Sequence, residues 1–135
     1  MRLASHRGAV MNAYLLVFLG GGIGATLRLG TYRLTRLWLA PEFPWATLAV
    51  NVIGSFVAGL VTGWLLSRSE GSNDVWALFL MTGILGGFTT FSAFSIDALT
   101  LAQRGAVMTA MCYVSATVML SILAAFSGLV LMKAG

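Results

Sequence analysis

Three groups of residues in this chain combine type and spacing in a way that could do chemistry, and their chemistry is carried almost wholly by neutral groups, Asp97 being the one acid among them. Thr109, Tyr113, Thr117 and Ser121 recur every four residues, the repeat that stacks side chains on one face of an α-helix. Hydroxyls spaced in this way form a track of donors and acceptors about three turns long. A single Ser or Thr in such a helix often bonds back to its own backbone. Four on one face, one of them a tyrosine, favour a polar pathway over packing. Asn51, Ser55, Gly59 and Gly63 share the same spacing. Ser55 and the two glycines read as a packing stripe, with Gly59 and Gly63 in the GxxxG arrangement that lets helices approach closely. Asn51 differs, because a carboxamide among apolar groups is costly unless hydrogen-bonded. It is either interhelical glue or a donor on a pathway, and both readings stand here.

The third group is the segment TGILGGFTTFSAFSIDAL, Thr82 to Leu99. Gly83, Gly86 and Gly87 weaken a helix, and the β-branched Thr89 and Thr90 follow at once. A break is therefore expected at Gly86–Thr90. Inside a membrane such a break frees backbone carbonyls, tolerated only where protein, water or an ion satisfies them. Discontinuous helices of this kind build ion sites in transporters. Phe88, Phe91 and Phe94 then recur every three residues beside Ser92 and Ser95. Aromatic stripes are usually core, yet a phenyl ring turned edge-on offers a weak anion contact.

What the chain lacks narrows the chemistry further. It has one histidine, His6, and one cysteine, Cys112, so it forms no intrachain disulfide and no metal-ligand cluster. Hydrolysis would need a nucleophile–base pair or metal ligands, and an enzyme is not expected. Asp97 is the one acid expected within a span, near its end, where it reads as an interface residue. A proton-coupled transporter normally carries a buried acid on its route. No Lys or Arg is expected in the middle of any span. Passive permeation past neutral donors fits better than chemistry on a substrate.

These residues need helices in lipid to position them. The 135 residues are 59% hydrophobic and only 9% charged, with a mean hydropathy of +0.91, whereas a soluble domain runs near 25% charged. The net charge of +4 comes from scattered bases, which suits interface anchors and not a nucleic-acid partner. A span needs about 20 mostly apolar residues. The apolar runs predict four: Ala13 to Leu29, Trp45 to Leu66, Asp74 to Leu101, and Ala106 to Leu131. Residues 1–12 read as a polar leader and 13–132 as a single transmembrane domain, with Met11 a plausible alternative start. The short connections make neighbouring helices antiparallel. Loop bases set orientation, and here Arg2, Arg7, Arg68 and Lys133 face Arg28, Arg33, Arg36 and Arg104. Four against four gives no preferred direction. Insertion both ways up, and an antiparallel pair of copies, follows as the expectation.

At these residues the chain resembles the Fluc (CrcB) family of bacterial fluoride channels, along nearly its whole length after Met11. The matching pieces are GGGIGATLR (Gly20–Arg28), NVIGSFVAG (Asn51–Gly59) and above all GGFTTFSAFS (Gly86–Ser95), with the Tyr113 track behind them. The last segment is specific; glycine runs alone would be weak. The resemblance implies an all-α integral membrane protein of four helices, assembled as an antiparallel dual-topology homodimer in the bacterial inner membrane. It implies two fluoride pores per dimer. Carried over by position, Asn51 would be the pore-facing amide, and Phe91 and Phe94 the rings lining the fluoride path. Tyr113, Thr117 and Ser121 would be the hydroxyl track. The carbonyls of Gly86 and Thr89 would hold a structural Na+ at the dimer centre, with Arg28 and Thr90 in structural or entry roles. Thr117 stands where Ser is often found, and Phe88 where Leu is often found; neither removes a hydroxyl or ring from the path.

Physical chemistry supports that implication. Fluoride is small and strongly hydrated, so a selective pore must replace its water with several short hydrogen bonds. A buried Lys or Arg would hold it too tightly to let it leave, because conduction needs sites that are favourable and escapable. A small four-helix multidrug exporter shares the size and span count, but should carry an acid in its first span, and Ala13 to Leu29 has none. A non-transporting assembly subunit would explain the glycines and leave the hydroxyl track unexplained.

Overall fold

A computed structural model describes residues 2–68 and 73–134, with side chains for 11–68 and 75–134. Every described element is helical. Helix α1 (Arg2–Trp38) is followed by α2 (Trp45–Leu66), the short α3 (Asn73–Trp76), a π-helical segment (Ala77–Leu85), α4 (Gly86–Phe88), α5 (Phe91–Gln103) and α6 (Val107–Ala134). Among the described residues four spans are long and apolar enough to cross a membrane: Met11–Trp38, Trp45–Leu66, Ala77–Gln103 and Val107–Ala134. The second coincides with the expected bounds. The first runs nine residues beyond Leu29, because Arg33 and Arg36 sit on helical turns and not in a loop.

That extension corrects the reading of Arg28. It lies inside a span, ten residues before the end of α1, or about 15 Å along the axis at 1.5 Å per residue. A base does therefore occur within a span. Arg33, Arg36 and Lys133 also lie within described spans, near their ends, so the four-against-four count is one of bases near span ends and not of loop residues.

Turns are specified locally. The α5–α6 connection has Gly105 at φ 79°, with its N–H on the Ala102 carbonyl (3.0 Å) and the Ala106 N–H on the Leu101 carbonyl (3.0 Å). This is the Schellman closure, and its left-handed position suits a residue without a Cβ. Pro44 precedes the first residue of α2.

Packing pairs α2 with α6, α1 with the π-helical segment and α4, and α5 with α6. Glycine sets the closest approach. A Cβ on Gly24 of α1 would strike the Ile84 carbonyl, and one on Gly20 would lie 2.7 Å from the Phe79 carbonyl oxygen. Backbone of the π-helical segment therefore lies directly against α1 at these positions, leaving no room for a Cβ. Gly59 likewise meets the Ala125 carbonyl of α6, so the Ser55–Gly59–Gly63 stripe packs as expected at its glycines. The buried apolar side chains are few: Val50, Leu85, Phe94, Leu101, Ala110 and Tyr113. Large apolar residues such as Phe18, Met108 and Phe126 face outward, which suits lipid as solvent.

Candidate functional site

The site is organised around two residues that are not helical. Helical backbone stops at Phe88 and resumes at Phe91. Between them Thr89 (φ −77°, ψ 160°) and Thr90 (φ −154°, ψ 114°) are extended. In a continuous helix the Thr90 N–H would bond the Gly86 carbonyl. Here it donates to Asn51 Oδ1 (2.9 Å), while Asn51 Nδ2 donates back to the Thr90 carbonyl (3.1 Å). The carboxamide thus pairs with Thr90 as a neighbouring peptide would. Thr90 Oγ1 accepts from the Ala93 N–H (3.2 Å) and caps α5, satisfying one of the orphan N–H donors that a helix start leaves. Arg28 Nη1 reaches across from α1 to donate to the Thr89 carbonyl at 3.4 Å. Asn51 was open between glue and pathway donor; the structure gives it the first role with two of its four hydrogen-bonding positions, and its second N–H remains for another partner.

Beside these residues lies a cavity of about 480 Å³ lined by Asn51, Ser55, Gly86, Thr89, Thr90, Phe91, Phe94, Thr117 and Ser121, among others, and by no ionisable side chain. Thr117 Oγ1 and Ser121 Oγ are buried without a hydrogen-bond partner among the described residues. Buried hydroxyls normally find one, and an orphan costs about 1–3 kcal/mol. Phe91 and Phe94 lie together, centroids 5.5 Å apart and tilted by 46°. They differ in burial: Phe94 is 8% exposed and Phe91 79%, so the ring pair lines the cavity at its outer edge.

The expected hydroxyl track divides. Thr109 is exposed and takes no part. Tyr113 is fully buried and does not line the cavity of Thr117 and Ser121. Its hydroxyl instead donates to Asp97 Oδ2 (3.5 Å), and the same oxygen accepts from Thr47 Oγ1 (2.6 Å). Tyr32 Oη lies 2.7 Å from Thr47 Oγ1. Asp97 is therefore tied into a half-buried polar cluster, not simply placed at an interface. It also lines a second cavity, of about 330 Å³, with Tyr32, Arg36, Glu42, Thr47 and Arg104. Sequence reasoning passed over Thr47 and Tyr32. A signal existed for Thr47, which stands four residues before Asn51 and extends its face by one turn; nothing in the spacing marks Tyr32.

The fold and site define a four-span, all-helical membrane protein with a neutral polar cavity beside an extended two-residue interruption. Residues 15–129 match the family described as CrcB-like protein, Camphor Resistance (CrcB). The chain belongs to this family. Similar proteins include the "Fluoride-specific ion channel FluC" of Rhizobium meliloti, 47% identical over 126 residues covering 92% of this chain and 98% of that protein. The protein of the same name from Rhodopseudomonas palustris is 50% identical over 121 residues, 90% of this chain and 97% of its own. That of Mesorhizobium japonicum is 50% identical over 119 residues, covering 85% and 91%.

Proposed function

We propose that this protein is a passive fluoride-selective channel of the bacterial inner membrane, exporting cytoplasmic fluoride, and not an enzyme. The observation that carries the reading is the pair of buried, unpartnered hydroxyls, Thr117 and Ser121, facing a cavity without charge. A small anion that accepts hydrogen bonds strongly would satisfy both, with the free N–H of Asn51 and the edges of Phe91 and Phe94 completing its surroundings. Neutral donors hold such an ion while leaving it free to go on. The similar proteins named as fluoride-specific channels support the choice of ion. Nothing favours the exporter reading, since the span Met11–Trp38 contains no acid.

The finer architecture follows as part of the proposal. Two copies in opposite orientation form a homodimer with two pores, and the exposed Phe91 ring is then covered by the partner. The break expected over Gly86–Thr90 is narrower, since Gly86–Phe88 are helical, and the interruption at Thr89 and Thr90 works as a functional break in the third helix. A structural Na+ fits the chain's own groups: the Gly86 carbonyl is freed when the Thr90 N–H turns to Asn51, and the Thr89 carbonyl carries only the long Arg28 contact. Neutral carbonyl oxygens suit a hard, singly charged cation. Gly86 and Thr89 of each copy would hold it, and its charge would offset the carbonyl dipoles at the break. Its bonds would be to backbone, off the route past Thr117 and Ser121.

The test is efflux from liposomes containing the purified protein, loaded with fluoride or with chloride. Rapid fluoride loss with little chloride loss is expected, with no uphill movement when a sodium gradient is imposed. Equal rates for the two anions, or sodium-driven accumulation of fluoride, would overturn the reading.

A further inference from the structure

Helices α1 and α5 scarcely touch each other, and both rest on α2. The gap between them, where α1 runs into the loop before α2, holds the cavity of about 330 Å³, whose lining includes Arg36, Glu42, Trp45, Asp97 and Arg104. Its depth in the bilayer follows from the spans. Arg36 stands two residues before the end of the first span, Trp45 begins the second, and Arg104 follows the last residue of the third. Three span ends meet here, so the cavity opens at headgroup level. Tryptophan rings and long basic side chains collect at that depth, and Trp38, two residues past Arg36, is exposed beside it.

The charges of this cavity do not answer one another. Arg36, Arg104 and Glu42 make no hydrogen bond or ion pair among the described residues. Asp97 takes its bonds from Thr47 and Tyr113 on Oδ2 alone, which leaves Oδ1 with its acceptor sites. Two bases and two acids sum to no net charge. An anion would pair with the arginines and leave both carboxylates facing it, and a cation would do the reverse. Only a ligand carrying both signs suits the lining. Phosphate is the natural partner of two guanidiniums, whose forked N–H groups match its oxygens, and an ammonium bearing N–H donors suits a carboxylate. Glu42 lies in the loop beyond α1, whereas Asp97 lies six residues inside the end of α5, about 9 Å along the axis. One acid therefore stands outside the arginines and one inside.

We infer that this cleft binds the headgroup of a zwitterionic phospholipid with a primary ammonium, of the phosphatidylethanolamine class. The phosphate bridges Arg36 on α1 and Arg104 at the end of α5. The ammonium turns outward to Glu42, and the acyl chains pass down the exposed apolar surface of α1, which includes Leu34 and Leu37. The lipid thus joins two helices that scarcely meet on their own. Asp97, on the inner side, works against a headgroup of net negative charge, so selectivity comes from repulsion as well as attraction. Burial of the chains gives a lipid an advantage that a soluble zwitterion lacks. The inference does not depend on which ion the protein conducts.

Native mass spectrometry of the purified protein, titrated with phosphatidylethanolamine, phosphatidylglycerol or phosphatidylcholine of matched chains, gives a dissociation constant for each. Thermal melting in detergent with the same lipids reports stability. Phosphatidylethanolamine should raise the melting temperature and bind about tenfold more tightly than the other two, because glycerol brings no cation and choline no N–H donor. Arg36→Gln and Arg104→Gln should each weaken it about tenfold, and Glu42→Gln should abolish the preference over phosphatidylglycerol. Arg33→Gln, which removes a base from the same end of α1 but outside the cavity lining, should leave it unchanged. Equal binding of the three lipids, the result expected if a second copy fills the cleft, overturns the inference. So does unchanged affinity in Arg36→Gln and Arg104→Gln, or glycerophosphoethanolamine, the headgroup without chains, binding as tightly as the lipid. Where an arginine variant does not fold, Glu42→Gln in the exposed loop decides the matter: an unchanged preference overturns the proposal.

Discussion

Asn51 and Thr117 are both polar and partly or wholly buried, yet removing each should have opposite effects on stability. Asn51 satisfies two backbone groups of Thr90. In Asn51→Asp one oxygen still accepts from the Thr90 N–H, but the second meets the Thr90 carbonyl, acceptor against acceptor. The carbonyl loses its donor, a cost of about 1–3 kcal/mol, and a carboxylate would also repel a passing anion. Loss of fluoride efflux together with a lower melting temperature in detergent is the expected outcome. Thr117→Val removes a hydroxyl that has no partner in the fold, at nearly constant volume. Its stability should hold or rise by up to about 1 kcal/mol, while fluoride efflux falls. A Thr117→Val protein that conducts normally would remove the strongest support for the pathway.

Among the helices, α1 acts as the template for the interrupted third span. Its glycines let backbone lie on backbone along the π-helical turns, and Arg28 anchors the Thr89 carbonyl from the same helix. Gly24→Ala places a methyl group against the Ile84 carbonyl and must push the π-helical segment away, an overpacking cost of about 1–3 kcal/mol. The displacement is carried to Thr89 and Thr90, only five and six residues on, so both stability and fluoride efflux should drop. Gly30→Ala on the same helix meets nothing within 4 Å and should gain about 0.5–1 kcal/mol from helix propensity. Thermal melting of the two variants side by side separates this seam from a general effect of alanine.

For the whole molecule the bases near the span ends, four against four, leave the direction of insertion weakly biased. Oppositely inserted copies forming one antiparallel pair are the expected result. In a Cys112→Ala background, a cysteine placed at Ser67, just beyond α2, should react with an impermeant thiol reagent from both sides of the membrane. Labelling from a single side in a fully assembled population would rule out dual insertion. Bringing the copies together should also protect the Phe91 ring, which a single chain leaves 79% exposed.

Much of this was legible in the residues because lipid imposes simple rules. Runs of apolar residues about 20 long could only be spans, and the i, i+4 spacing placed Asn51, Thr117 and Ser121 on polar faces without knowledge of their neighbours. Residues Gly86 to Thr90 were marked by poor helix propensity alone. What spacing cannot state is which partner a polar group meets across a helix boundary. That Asn51 spends its amide on Thr90, that Tyr113 turns from Thr117 and Ser121 toward Asp97, and that Arg28 lies within a span and reaches Thr89 all depend on how α1, α2, α5 and α6 are rotated against one another. Those rotations are fixed by the close backbone seams at Gly24 and Gly59, and hydrogen bonds between helices form only after the seams have set the distances. Periodicity reports the face of one helix; the pairing of faces is a property of the packed molecule.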